Sequence, residues 1–243
     1  MFSVEVNNLT KKFGEFTAVD RITLSVKRGE IFGFLGPNGS GKSTTIRMLC
    51  GILEPSSGTG KVEGLDVSRD SEKIKSVIGY MSQKFSLYND LTVGENINFF
   101  AGIHEVSGER LSERKNWILE MAGLRGKEKL LTNILSGGWR QRLALGCALI
   151  HSPSVLFLDE PTAGVDPLSR RDFWRLIHET AEQGTTVFVT THYMDEAEQC
   201  RRISLIYRGR LIAAGSPAEL KNESGNRTLE ELFVSRIREY SSE

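Results

Sequence analysis

The chain has 243 residues, with 31 Lys plus Arg against 31 Asp plus Glu, so its formal net charge is zero. That balance leaves no basic footprint for nucleic-acid phosphates, and 39% hydrophobic with 26% charged residues excludes a disordered polar chain. Apolar runs are short, 155–158 being typical, which excludes the ~20-residue stretch of a membrane-spanning helix.

Val4 and Val6, then Ile22, Leu24 and Val26, alternate with polar neighbours and predict two half-buried strands; the apolar run 30–36 predicts a buried third. A Gly-rich turn follows, then helical spacing over 42–49, ended by Gly51 and Pro55. From Thr92 a capping box with Glu95 opens a mainly helical stretch, about 85–150, marked by Ile97, Phe100, Trp117, Ile118 and Met121. Strands return at 155–158 and 186–189, separated by a helix through Phe173, Leu176 and Ile177 that stops at Gly184. This βαβ rhythm implies a parallel sheet. Residues 203–207 and 211–214 flank Arg208-Gly209-Arg210 as a hairpin, and Leu229, Leu232, Phe233 and Ile237 give the tail an amphipathic helix. With no internal repeat or low-complexity linker, the helical stretch reads as an insertion into one α/β domain spanning 1–243.

Gly36-Pro37-Asn38-Gly39-Ser40-Gly41-Lys42-Ser43 fits a phosphate-binding loop, and it lies between a buried strand and a helix as that loop must. Glycines let successive backbone N–H groups face phosphate oxygens, and the helix N-terminus adds its positive dipole end. Lys42 is placed to neutralise β and γ phosphates and Ser43 to offer a hydroxyl to Mg²⁺. The strand 155–158 ends in Asp159 and Glu160, which would deliver one carboxylate to the metal and the next to an attacking water. Ser136-Gly137-Gly138 precedes a helix through Leu143, Leu145 and Ala148, a second anion-binding helix N-terminus. Taken alone it is also a Ser N-cap at a turn. Three widely spaced cysteines, Cys50, Cys147 and Cys200, fit neither a disulfide framework nor a zinc cluster, and His104, His151, His178 and His192 lack metal-ligand spacing. With Glu5 interrupting any signal-peptide core, a cytoplasmic compartment is expected.

The phosphate loop, Gln83 after a strand at 77–81, the Ser-Gly-Gly element, Asp159-Glu160-Pro161-Thr162, Ala163 to Asp166, and Thr190-Thr191-His192 occur in the order found in ATP-binding subunits of ABC transporters. The resemblance covers about residues 3–240. It implies an α/β P-loop NTPase core with a parallel sheet, an N-terminal antiparallel β portion, an inserted helical subdomain at about 85–150 and a C-terminal helical extension at about 216–243. It further implies an ATPase using ATP and Mg²⁺, with residues Gly36 to Thr44, Thr44 included, cradling the nucleotide and Phe13 stacking on adenine. Gln83 would be a ligand of metal and water that senses the membrane subunit, and His192 a γ-phosphate contact. A head-to-tail dimer of identical or different subunits would place Ser136, Gly137 and Gly138 on the partner's nucleotide, with Asp166 linking the two sites. Phe13 replaces a common Tyr and Trp139 a common Gln.

Residues 163–167, 191–197 and 228–233 look like the branch that powers ABC-2-type exporters, preferred over an importer. The implied partner is a separate transmembrane permease at the cytoplasmic face of the cell membrane, with no nucleic acid and no direct lipid anchor. Residues 85–91, with Phe85, Leu87 and Tyr88, are the candidate docking anchors beside Gln83, with packing of the helical insertion on its own core as the alternative reading. A soluble ABC-type ATPase acting on ribosomes or DNA is the alternative; a single unit without coiled-coil heptads or basic excess speaks against it. A P-loop kinase of small molecules leaves the Ser-Gly-Gly element and His192 unexplained.

Overall fold

The computed structural model describes residues 1–83, 87–223 and 228–241. Strands β1 (Phe2–Phe13) and β2 (Phe16–Lys27) form a long antiparallel hairpin in which Val4 faces Val26 and Leu9 faces Ile22. Against β1 lie β4 (Ser57–Val62) and then β5 (Leu65–Asp66), completing a four-stranded sheet in the order β2-β1-β4-β5. Between them in sequence come β3 (Ile31–Leu35) and α1 (Lys42–Leu49), followed later by α2 (Ser71–Val77) and β6 (Ile78–Met81). The predicted strand at 77–81 therefore starts one residue late, because Val77 closes α2.

The second sheet has six strands in the order β10-β9-β3-β8-β7-β6. Here β7 is Val155–Asp159, β8 Thr186–Thr191, β9 Arg202–Tyr207 and β10 Arg210–Gly215. Every pairing is parallel except that of β9 with β10, the predicted hairpin. All residues of β3, β7 and β8 are buried, as a parallel sheet covered on both faces demands. Period-two alternation divides them. Phe32, Phe34, Phe157 and Phe188 face α1 and the antiparallel sheet, with ring centroids 5.2–5.6 Å from Phe188. Ile31, Leu35, Leu156, Leu158, Val187 and Val189 face the helices on the other side.

Those helices are α3 (Val93–Ile103), α4 (Gly108–Met121), α5 (Gly137–Ala148) and α6 (Pro167–Glu182), with only a short 3-10 turn at 132–134 between α4 and α5. The capping box forms: Glu95 N–H donates to Thr92 Oγ1 at 3.2 Å, and Thr92 N–H to Glu95 Oε2 at 2.8 Å. Helix α5 is buried nearly all round, packed on α3, α4, α6 and β6. Buried Asn96 bonds both backbone groups of Tyr88 at 2.9 Å and Thr132 Oγ1 at 2.8 Å, tying the chain after Gln83 to the helices. A short α7 (Met194–Ala197) follows β8, and α8 (Pro217–Glu223) and α9 (Leu229–Ser241) pack on β10. Residues 224–227, 242 and 243 of the expected extension lie outside the described residues.

Strand register explains where chemistry gathers. Leu35 pairs with Thr191, Asp159 with Thr190, and Met81 with Leu158. The carboxyl ends of β3, β6, β7 and β8 thus finish level, and loops leaving them converge on one edge of the sheet.

Candidate functional site

Beyond β3 the chain turns through the glycine loop into α1, whose N-cap Gly41 has φ of 107°. That backbone region suits glycine, and a Cβ there would lie 2.5 Å from the carbonyl oxygen of Ala18. The loop with Lys42, Ser43 and Thr44 lines an open cleft of about 480 Å³ together with Phe13, Phe16, Gln83 and Glu160. Phe13 stands half exposed at the tip of β1, its ring 5.2 Å from Lys11 Nζ. Phe16, across the hairpin, is more exposed still and lines the same cleft. The sequence reading missed it; its signal is a second aromatic three residues after Phe13 at a Gly turn.

Lys42 is 3% exposed and donates to the carbonyl oxygens of Gly36 at 2.7 Å and Pro37 at 3.0 Å. Its Nζ also lies 3.0 Å from Glu160 Oε1. The other oxygen, Glu160 Oε2, accepts from Gln83 Nε2 at 3.1 Å and lies 3.2 Å from His192 Nδ1. Glu160 holds φ of 49°, a left-handed conformation that a non-glycine residue keeps only when its surroundings impose it. They do: its N–H donates to Thr190 Oγ1 at 3.0 Å. Asp159 Oδ1 accepts from Ser43 Oγ at 3.0 Å and Thr190 Oγ1 at 2.8 Å. Thr190 therefore positions both carboxylates, a second residue whose role the sequence reading left unassigned.

Ser43, Asp159 and Gln83 offer a hydroxyl, a carboxylate and an amide, oxygen donors suited to a hard cation such as Mg²⁺. Among the described residues no group of three His, Cys, Asp or Glu side chains is arranged to hold a metal. A cation at Ser43 and Asp159 would accordingly be retained jointly with phosphate oxygens, as this donor set fits.

Ser136, Gly137, Gly138 and Asp166 do not line this cleft. Ser136 caps α5, accepting from Trp139 N–H at 3.4 Å. Gly138 packs so closely on α6 that a Cβ would meet Ser169 Cβ at 2.9 Å. Asp166 caps α6, and the Ser169 N–H at 2.9 Å holds its carboxyl below the usual carboxylate range. Trp139 lies under Lys127, whose Nζ is 4.8 Å from its ring, so it leans on the chain after α4 while Ser136 and Gly137 stay exposed.

The expected docking segment divides. Phe85 lies outside the described residues, Leu87 is buried in the helical core, and Tyr88 is exposed with its ring 4.6 Å from Phe99. Leu87 is thus a core residue and cannot serve as a surface anchor. Exposed Ile52 and Ile103 border an apolar groove between the sheet and the helices.

A family model described as ABC transporter matches residues 19–163, and a shorter match to an AAA domain covers 138–194. The chain is 51% identical over 99% of its length to the "Probable multidrug ABC transporter ATP-binding protein YbhF" of Escherichia coli K12, of which it spans 42%. It is 40% identical over 97% of its length to the linearmycin resistance ATP-binding protein LnrL of Bacillus subtilis 168, covering 76% of that protein. Among solved structures it resembles, with TM-score 0.79 and 30% identity, a dimeric post-hydrolysis state of the ATP-binding cassette MJ0796 bound to ADP and Pi; the match covers 88% of this chain and 98% of that one.

Proposed function

The chain belongs to the ABC transporter family of ATP-binding proteins, and from that premise we propose that it hydrolyses Mg·ATP to energise export through a separate transmembrane subunit. The observation that carries this reading is one cluster of contacts in which Lys42, Ser43, Asp159, Glu160, Gln83 and His192 meet at the ends of four adjacent strands. The loop's N–H groups and Lys42 bind the β and γ phosphates. Phe13 gives the adenine an aromatic face at the cleft mouth. Ser43, Asp159 and Gln83 would hold Mg²⁺, which when bound neutralises charge on the phosphate oxygens. Glu160 accepts the proton of the attacking water, and His192, beside it, contacts the γ phosphate. Such catalysis rests on positioning and electrostatics rather than on a covalent intermediate.

Ser136, Gly137 and Gly138 open a helix and do not line their own cleft, which supports a head-to-tail pair in which each subunit completes the other's site, with Asp166 at the seam. Residues 1–243 act as one ATP-binding domain, with 85–150 as its helical insertion and 216–243 as its extension. Among the described residues no helix is long and apolar enough to cross a membrane, which supports attachment through a protein partner at the cytoplasmic face. Exposed Ile52 and Ile103, which border one apolar groove, and exposed Tyr88 offer that partner apolar docking residues. Names of relatives that speak of multidrug and linearmycin resistance favour export as the direction.

Lys42→Ala tests the reading. Phosphate release from ATP falls to background, because the buried charge facing the β and γ phosphates is gone; wild-type turnover in a folded variant refutes the phosphate-loop assignment.

A further inference from the structure

Behind the His192 loop, α6 and α7 enclose a cleft of about 530 Å³, within the range of small-ligand sites. Arg170, Arg171, Trp174 and Arg175 of α6 line it, facing Asp195 and Glu196 of α7. Both carboxylates are already engaged by one cation: Arg170 lies 3.3 Å from Asp195 Oδ2 and 3.5 Å from Glu196 Oε1, its guanidinium 4.3 Å from the Tyr193 ring centroid. Arg175 keeps a loose, exposed pair with Glu179 one turn on, its Nη1 3.5 Å from Oε1, so Arg171 is the surplus positive charge and Arg175 a second cation that can turn toward the cleft. Trp174 is 5% exposed, and its indole N–H is buried with no acceptor. Buried donors without acceptors are rare in folded proteins, and Trp174 forms part of the wall of this arginine-lined cleft.

We propose that this cleft binds a small multivalent oxyanion, of the carboxylate or phosphate class, which accepts from the Trp174 indole and is held by Arg171 and Arg175. The cleft is also wired to the nucleotide site. Glu196, almost fully buried, accepts from Thr191 Oγ1 at 2.7 Å and from Thr162 Oγ1. Thr191 precedes His192, and Thr162 lies two residues after Glu160. An anion that draws Arg170 off Glu196 leaves that carboxylate uncompensated and shifts the two segments flanking Glu160 and His192. This regulatory half rests on the ATP-hydrolysis reading; the binding half does not.

The test uses the ¹⁵N-labelled full chain, whose three tryptophans give three indole signals, with Trp174→Phe identifying the relevant one. Citrate and pyrophosphate are titrated separately in a Lys42→Ala background that removes the phosphate-loop site. A saturable shift of the Trp174 signal, with Trp117 and Trp139 unmoved, is the expected result, and whichever anion saturates it names the class. Arg171→Ala with Arg175→Ala weakens that binding about tenfold, as loss of charge-assisted hydrogen bonds requires. No saturable shift with either anion, or an unchanged affinity in the double variant, overturns the site. In the wild type, saturating citrate at constant free Mg²⁺ lowers ATP turnover about fivefold, the lower range of allosteric coupling. A saturable shift with unchanged turnover overturns the coupling alone.

Discussion

Glu160→Gln separates what holds this site together from what makes it react. Glutamine keeps the shape of glutamate, so its Oε1 still accepts from Lys42 Nζ across 3.0 Å. Its amide nitrogen, however, takes the place of Oε2 and faces Gln83 Nε2 at 3.1 Å, donor against donor, until the Gln83 amide turns over. Lys42 loses its charged partner but keeps the Gly36 and Pro37 carbonyls. The folding cost should therefore be about 1–2 kcal/mol, below the ~3–5 kcal/mol of a buried pair stripped of one member. In a chain of this size that lowers the melting temperature by about 2–8 °C. Turnover responds far more, because an amide cannot take a proton from water: general-base loss amounts to about 10²–10⁴-fold, or about 3–5 kcal/mol of barrier. Single-turnover phosphate release, run beside binding of a fluorescent ATP analogue, reads both effects. The expected pattern is near-normal nucleotide binding with hydrolysis reduced at least a hundredfold. A loss under tenfold would refute the assignment of Glu160 as the base, and binding lost in parallel would make it a nucleotide-holding residue instead.

Acid should weaken the fold through a stacked pair of imidazoles. His151, its ring 3.6 Å from that of His104 and its Nε2 bonded to the Ile78 carbonyl at 2.9 Å, is pushed down to about 4 by burial, with His104 and the nearby Arg110 and Arg114 adding to the shift. The unfolded chain takes up this proton near the ordinary value of 6.5, so the contribution is complete above that pH and is lost progressively between 6.5 and about 4. Urea midpoints measured across that window should fall, and His151→Gln should flatten the slope; parallel slopes would contradict the linkage. Phe188→Ala, which removes the ring that touches Phe32, Phe34 and Phe157, should cost about 3–5 kcal/mol in chemical denaturation; a loss below ~1 kcal/mol would show that the sheet repacks around the gap.

Where local chemistry decides structure, the sequence was sufficient. The glycine turn between β3 and α1, the Thr92 capping box, the buried strands at 155–158 and 186–189 and the 203–214 hairpin all lie where periodicity and turn residues place them. Strand β4 was invisible because its residues Ser57-Gly-Thr-Gly-Lys-Val62 have little β character; pairing with β1 makes the strand. Helix α2 is a single short amphipathic stretch with only Ile74 buried, too weak a pattern to read. At the site, Asp159 and Glu160 were legible as carboxylates ending a strand. What escaped was how side chains meet in space: Thr190 reaching Asp159 and Glu160 from the neighbouring strand, Phe16 lining the cleft with Phe13, and Glu196 accepting from Thr162 and Thr191 beside Glu160 and His192. Leu87 shows the converse limit, since an apolar residue in a polar segment can be a core residue as readily as an anchor.

The central claim is that each nucleotide is enclosed between the phosphate loop of one subunit and Ser136 to Gly138 of another. Light scattering on Glu160→Gln, with and without saturating Mg·ATP, tests it most directly. The account predicts that the mass doubles with Mg·ATP and that adding Ser136→Glu, whose carboxylate would face the partner's phosphates, keeps the chain monomeric. A variant that binds ATP yet stays monomeric, or a doubling that survives Ser136→Glu, would contradict it.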